Sequence, residues 1–344
     1  MDETTVIWFG LRGRRSVLHM RSKLSETQGR RQTFAASMGQ FEEQFNAAKV
    51  VTEATRPLNL YYGLAQAGMA IAAAHADDPW SFSRHGLSLT NRNGELADMT
   101  VGPDSEGGFQ RVATATGSPL ITAPVRLGAL WASLPELTDA GMLPGSDTSA
   151  PIPLTADLTP ASVPSGRVFP SGDVLDRDLL PVQNRWLLRF HEIMKAYPGT
   201  SGIAIPATQY AISPPDDRAR NWSIDLTWLG AQSATEMSAA ELRGFFDKIA
   251  PEYRYRDDRF LRPAIDENGT VAPSPLMTWW LLLYSFSILA RYEPRKWTQL
   301  LALDKTQTAV LLQYALAEAL AAVPQLVLEA LDGKPFLLAK PMAL

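Results

Sequence analysis

The chain has 344 residues, 46% hydrophobic and 20% charged, with a net charge of −4, the balance of an ordinary globular protein. It contains no cysteine, which excludes disulfides, a thiol nucleophile and thiolate metal sites. Four scattered histidines supply no usual zinc ligand set, so no metal and no cofactor are expected.

Charge is unevenly distributed. Between Leu11 and Arg31 stand seven cations (Arg12, Arg14, Arg15, Arg21, Lys23, Arg30 and Arg31) and one carboxylate, Glu26. That segment carries +6, which leaves −10 on the rest of a chain whose total is −4. A basic end on an acidic body points to an anionic partner, a nucleic acid or an acidic protein, and Arg12, Arg14, Arg15, Arg21 and Lys23 are its candidate binding residues. The first residues are acidic and hold no long apolar run. A soluble, cytoplasmic protein without a signal peptide and without a membrane partner is therefore expected.

In chain order, Thr4–Phe9 reads as a strand or a helix start, and Ser16–Leu24 as a helix. Over Gln32–Val50, Phe34, Met38, Phe41, Phe45 and Ala48 recur at helical spacing. Pro57 opens a helix to about His75, whose Gly63, Ala67, Gly68 and Ala70 permit close approach of a neighbour. From His85 the texture changes, with a turn at Asn93-Gly94 and short strands predicted at Asp98–Val101 and Phe109–Thr116. Val125–Leu137 reads as helix. The Pro/Ser/Thr-rich stretch from Gly141 to Gly172 reads as a long loop with one strand near Ile152–Leu158. Pro181 starts a further helix, and Trp222–Trp228 alternates as a strand. Ser238 and Glu241 form a capping box.

The least polar segment is Leu276–Ala290, fifteen residues without a charge. A spanning helix needs about twenty apolar residues, and this run contains Thr278, Ser285 and Ser287, so it reads as a buried core helix. Pro275 suits its first turn, and Pro294 should stop it at Glu293. A long Ala/Leu helix then ends near Gly333, with a kink expected at Pro324. These elements predict an α+β, mainly α-helical fold in a single domain. N-terminal helices (1–84) and C-terminal helices (236–344) form one core around a mixed, Pro/Gly-rich insertion (85–235). The core should pack Trp279, Leu282, Leu283, Phe286 and Leu289 against Leu60, Leu64 and Ile71.

Four stretches in this order carry a resemblance: RPLNLYYGLAQAGMA (56–70), His85-Gly86-Leu87, LGALWASLPEL (127–137) and YSFSILARYEPRKW (284–297). Together they resemble the YaaC-like family, which often has a basic run after the His-Gly where this chain has Ser88-Leu89-Thr90-Asn91-Arg92. The resemblance implies relatives and does not imply a reaction.

Chemistry-bearing motifs are sparse. Gly333-Lys334 lacks the rest of a phosphate loop, and Gly199-Thr200-Ser201-Gly202 is not a nucleophile elbow. His191-Glu192 lacks the second histidine of a zinc-binding helix, because Lys195 occupies that face. Arg14 with His19, and Arg185 with His191, match the Arg-x(4–6)-His spacing of HEPN-like metal-independent ribonucleases. There an imidazole would move the proton and a guanidinium would hold the phosphate. About one such match arises by chance in a chain this rich in arginine, so solvated helix-face residues are the simpler reading. Arg56, Tyr61, Tyr62, His85, Arg291 and Tyr292 could converge as a polar cluster, either as packed groups with satisfied hydroxyls or as a pocket for a small anion. Tyr253–Arg262 interleaves aromatics with arginines, as single-strand binders do, but Asp257 and Asp258 offset the charge. The expectation from sequence is a non-enzymatic interaction or accessory protein, with an HEPN-like ribonuclease and a small-anion-binding regulator as the alternatives.

Overall fold

The computed structural model describes residues 2–16, 22–146, 149–157, 165–168, 190–198, 200, 203–204, 212–213, 223–228, 238, 241–242, 254–255 and 258–334. The chain divides into two compact units, residues 1–148 with 273–344, and residues 149–272. The protein is α+β and mainly α-helical.

In the first unit, α1 (Glu3–Arg15) begins on Asp2, whose carboxylate accepts from the Thr5 amide at 2.9 Å. That settles the ambiguous Thr4–Phe9 run as helix. Thr27 caps α2 (Gln28–Val50), its hydroxyl accepting from the Arg30 amide. The α2 face read from the sequence is buried, and Trp8, Phe41 and Phe45 meet in tilted and edge-to-face contacts with ring centroids 4.7–6.0 Å apart. Residues 17–21, the middle of the helix expected at Ser16–Leu24, lie outside the described residues, and Ser22–Ser25 is a 3-10 turn.

Helix α3 (Arg56–His75) packs on α2 and on the apolar helix near the C-terminus. Gly68 makes the second approach possible. A Cβ there would sit 2.3 Å from the Trp280 ring and 3.0 Å from Val112, so only a residue without a side chain lets the helices close. Strands β1 (Leu87–Thr90), β2 (Thr100–Pro103) and β3 (Val125–Arg126) form an antiparallel sheet in that order. The segment read as a strand at Phe109–Thr116 is helix α4 (Gly108–Ala115). Its buried residues Gly108, Phe109, Val112 and Ala113 follow helical spacing, and eight residues are too few for alternation to be told from it. The helix expected at Val125–Leu137 opens instead as β3 and breaks before Pro135 into α5 (Leu127–Ala132) and α6 (Pro135–Ala140), because a residue preceding proline disfavours helix.

The organising helix is α7 (Pro275–Tyr292). Fourteen of its residues are buried, including Trp279, Leu282, Leu283, Phe286 and Leu289, as are Leu60, Leu64 and Ile71 on α3. A helix apolar on all sides belongs in a core. Its serines bond back to the helix, Ser285 Oγ to the Leu281 carbonyl at 2.8 Å and Ser287 Oγ to that of Tyr284 at 2.7 Å, so they enter the core with their hydroxyls satisfied. Pro294 both stops α7 and starts α8 (Pro294–Leu300). Helix α9 (Thr308–Asp332) continues through Pro324 and ends on Gly333 in the left-handed region, φ 63°. It is long and apolar enough to cross a membrane. Its apolar face, including Leu312, Leu316, Ala319, Val323 and Val327, is buried in the unit.

The second unit is an antiparallel sheet. Its strands are β4 (Ile152–Asp157), β5 (Ser165–Val168), β6 (Ile203–Ala204), β7 (Ile212–Ser213), β8 (Ser223–Trp228), β9 (Arg254–Tyr255) and β10 (Asp258–Leu261). The order is β6-β8-β5-β4-β10-β9, with β7 also on β8. The stretch read as a long loop from Gly141 therefore supplies two strands, and within the arginine-rich Tyr253–Arg262 stretch Arg254–Tyr255 and Asp258–Leu261 pair as antiparallel strands. Arg167 and Asp225 face each other across β5 and β8 and pair at 2.6 Å. The Ser238–Glu241 capping box forms in both directions, with bonds of 2.7 and 3.3 Å. Most of the helix expected from Pro181 lies outside the described residues.

Candidate functional site: an aromatic and cationic cluster

Three of the segments that carry the resemblance meet in the first unit. Tyr61 projects from α3, His85 from the turn leading into β1, and Tyr284 from α7. Their rings form a triangle with centroid separations of 5.3, 5.5 and 5.9 Å. The Tyr61 hydroxyl lies 2.8 Å from His85 Nδ1, and Tyr284 donates to the Leu87 carbonyl at 2.6 Å. Burial pushes the Tyr61 phenol far above its ordinary range, so it remains a hydroxyl. Burial and the nearby Arg291 charge hold the His85 imidazole below its ordinary value. A neutral imidazole accepting at Nδ1 carries its proton on Nε2, and the residue keeps an exposed edge.

Arg291 completes the outer rim. Its Nη1 donates to the Tyr62 hydroxyl at 2.9 Å, and its guanidinium carbon stands 5.0 Å from the centre of the Tyr292 ring. Both tyrosines are exposed, Tyr62 by 38% and Tyr292 by 55%. Among the described residues no carboxylate pairs with Arg291. The patch thus offers a guanidinium held between a phenol hydroxyl and an aromatic face, with two exposed tyrosine rings and an imidazole nearby.

Gly86 fixes the turn that holds His85. Its φ is 76°, in the region L side chains avoid. A Cβ would lie 2.0 Å from Gln110 Oε1 and 2.9 Å from the Ser105 carbonyl. Gln110 Nε2 donates to the Gly86 carbonyl at 2.7 Å, and the Arg84 and His85 carbonyls accept from Gly108 and Phe109. The turn is therefore clamped onto the start of α4.

Arg56 does not join this cluster. It donates to the Ala48 and Val51 carbonyls at 3.0 Å each and pairs with Glu53, closing the end of α2 where helix carbonyls lack partners. Tyr284 was not singled out from sequence, although it stands two turns before Arg291 on one helix face, a spacing that could have marked it.

The basic segment meets the acidic body of its own chain. Arg12 pairs with Glu42 at 2.5 Å, Arg14 grips Asp332 through two bonds of 2.8 and 2.5 Å, and Lys23 pairs with Asp77. The exposed Arg15 lies across Gly39, while Arg21 is outside the described residues. Arg30 is buried. It donates to the Ala73 and Ala76 carbonyls and to Asp78, at 3.0 Å each, and lies over Trp80. Of the two Arg–His pairs, Arg14 is committed to Asp332 and His19 is outside the described residues; Arg185 is outside them too, and His191 is exposed. Among the described residues no group of three or more acidic or histidine side chains could hold a metal ion.

Fold and patch together define a mainly helical α+β protein with an aromatic–cation surface on its helical unit. The model of the YaaC-like proteins matches residues 15–331, and the chain belongs to that family. Comparison with curated proteins and with solved structures returns no match.

Proposed function

We propose that this protein is a non-enzymatic binding protein that recognises an anionic group, a phosphate or carboxylate, at the patch formed by Tyr62, His85, Arg291 and Tyr292. The observation that carries the reading is Arg291, held by a phenol and an aromatic face without a carboxylate partner among the described residues. A guanidinium so oriented presents its remaining N–H donors as a fork suited to phosphate or carboxylate oxygens. The exposed rings beside it suit a ligand with a flat face, since stacking on tyrosine tolerates many partners. A binding role accounts for the site better than catalysis, because Tyr61 is held as a neutral phenol and no carboxylate among the described residues orients the imidazole. The basic N-terminal segment is a weaker candidate for an anionic partner. Arg12, Arg14 and Lys23 would each have to exchange an existing ion pair for a new one.

Titration calorimetry with pyrophosphate, a nucleoside monophosphate and a short single-stranded oligonucleotide tests the reading in low salt. At least one of these probes should bind, and Arg291→Gln should weaken it by about tenfold or more, the loss of one charged hydrogen bond. No binding by any of the three, or binding indifferent to Arg291→Gln, would refute it. Retained binding in Arg291→Gln that disappears when Arg12, Arg14 and Arg15 become Gln would move the site to the basic segment.

A further inference from the structure

A second site lies against α4 and the end of α3. Helix α4, the end of α3 and Leu120 enclose a cleft of about 380 Å³, within the size range of small-molecule sites. His75, Asp77, Glu106, Gln110 and Arg111 supply its polar wall. Three of these five are already committed. His75 Nε2 bonds to the Leu331 carbonyl at 3.1 Å, and burial holds the ring toward its neutral form. Asp77 is neutralised by Lys23, and Gln110 donates to the Gly86 carbonyl.

Glu106 and Arg111 remain. They face one cleft with opposite charge, and neither forms an ion pair with the other or with any described residue. Glu106 stands just before the Gly107 cap of α4, and Arg111 projects from the first turn of that helix. A carboxylate and a guanidinium that line one small cleft without an ion pair between them match a ligand that carries both complementary charges.

We propose that this cleft binds a small zwitterion of the free α-amino acid class, its ammonium on Glu106 and its carboxylate on Arg111. A singly charged ligand would satisfy one wall and leave the other charge facing it unpaired. A zwitterion satisfies both, and Leu120 and Ala115 give its side chain an apolar floor. The site is separate from the Arg291 patch and does not depend on it.

The test uses the full chain, thermal-shift screening against the twenty common L-amino acids, and calorimetry on any that stabilise. Acetate and choline serve as single-charge probes. At least one amino acid should raise the melting temperature, while acetate and choline should not. Glu106→Gln and Arg111→Gln should each weaken that amino acid by about tenfold or more, and Arg291→Gln should leave it unchanged. Thr114→Trp, which fills the cleft from an exposed helical position, should abolish binding with the circular dichroism of the parent. The proposal fails if no amino acid stabilises the protein, if acetate or choline matches it, or if binding survives both charge substitutions.

Discussion

Gly86→Ala tests the turn that carries His85 and that Gln110, a residue of the cleft, holds by its side chain. In the left-handed region an alanine costs about 1–2 kcal/mol. Its Cβ would meet Gln110 Oε1 at 2.0 Å and the Ser105 carbonyl at 2.9 Å. The glutamine can swing aside, at the cost of its bond to the Gly86 carbonyl, worth about 1 kcal/mol. The Ser105 contact is backbone and yields only if the turn shifts. Against this stands about 0.4–1 kcal/mol gained by restricting the unfolded chain. The net loss should be about 1–2 kcal/mol before any cost of moving the turn, read by urea unfolding with tryptophan fluorescence. Gly13→Ala is the control. It lies in α1 with nothing within 4 Å of a new Cβ, and should gain about 0.5–1 kcal/mol. If Gly86→Ala loses less than half a kcal/mol, or if the two glycines respond alike, the turn is not held as the geometry requires.

Leu283→Ala removes a fully buried side chain from the centre of α7 and should cost about 2–5 kcal/mol; a loss under half a kcal/mol would deny that helix its central place. A double-mutant cycle on Arg14 and Asp332, which pair α1 with the end of α9 at part-buried positions, should give a coupling of about 1 kcal/mol. Replacing Arg12, Arg14 and Lys23 together should lower the melting temperature, and an unchanged melting curve would mean these ion pairs do not hold the segment. Burial sets both His75 and His85 below the ordinary histidine value. The unfolded chain then binds the extra protons, so their contribution is present above about pH 6.5 and is lost as pH falls through the folded values. The urea midpoint should therefore drop between about pH 7 and 5, and His75→Gln with His85→Gln should flatten that drop; an unaltered pH profile in the double variant would contradict the assignment.

The chain's own pattern determined the elements whose signal is local and long. The four-three repeat of Phe34 to Ala48 specifies one face of α2, and the fifteen uncharged residues before Arg291 specify a core helix, because periodic burial and lack of charge are written residue by residue. Prolines 57 and 275 marked helix starts and Pro294 a helix stop for the same reason, a missing amide and a restricted neighbour. The short α4 was not legible, since eight residues fit both periods, and with it went Glu106, Gln110 and Arg111. The fate of the cations was decided only in three dimensions. Composition showed a surplus between Leu11 and Arg31, but pairing Arg14 with Asp332 joins residues 318 positions apart, and burying Arg30 depends on where the carbonyls of α3 end. The joining of Tyr61, His85, Tyr284 and Arg291 has the same origin. Each sits at an ordinary place on its own element, and what makes them a cluster is the close packing that Gly68 allows between α3 and α7.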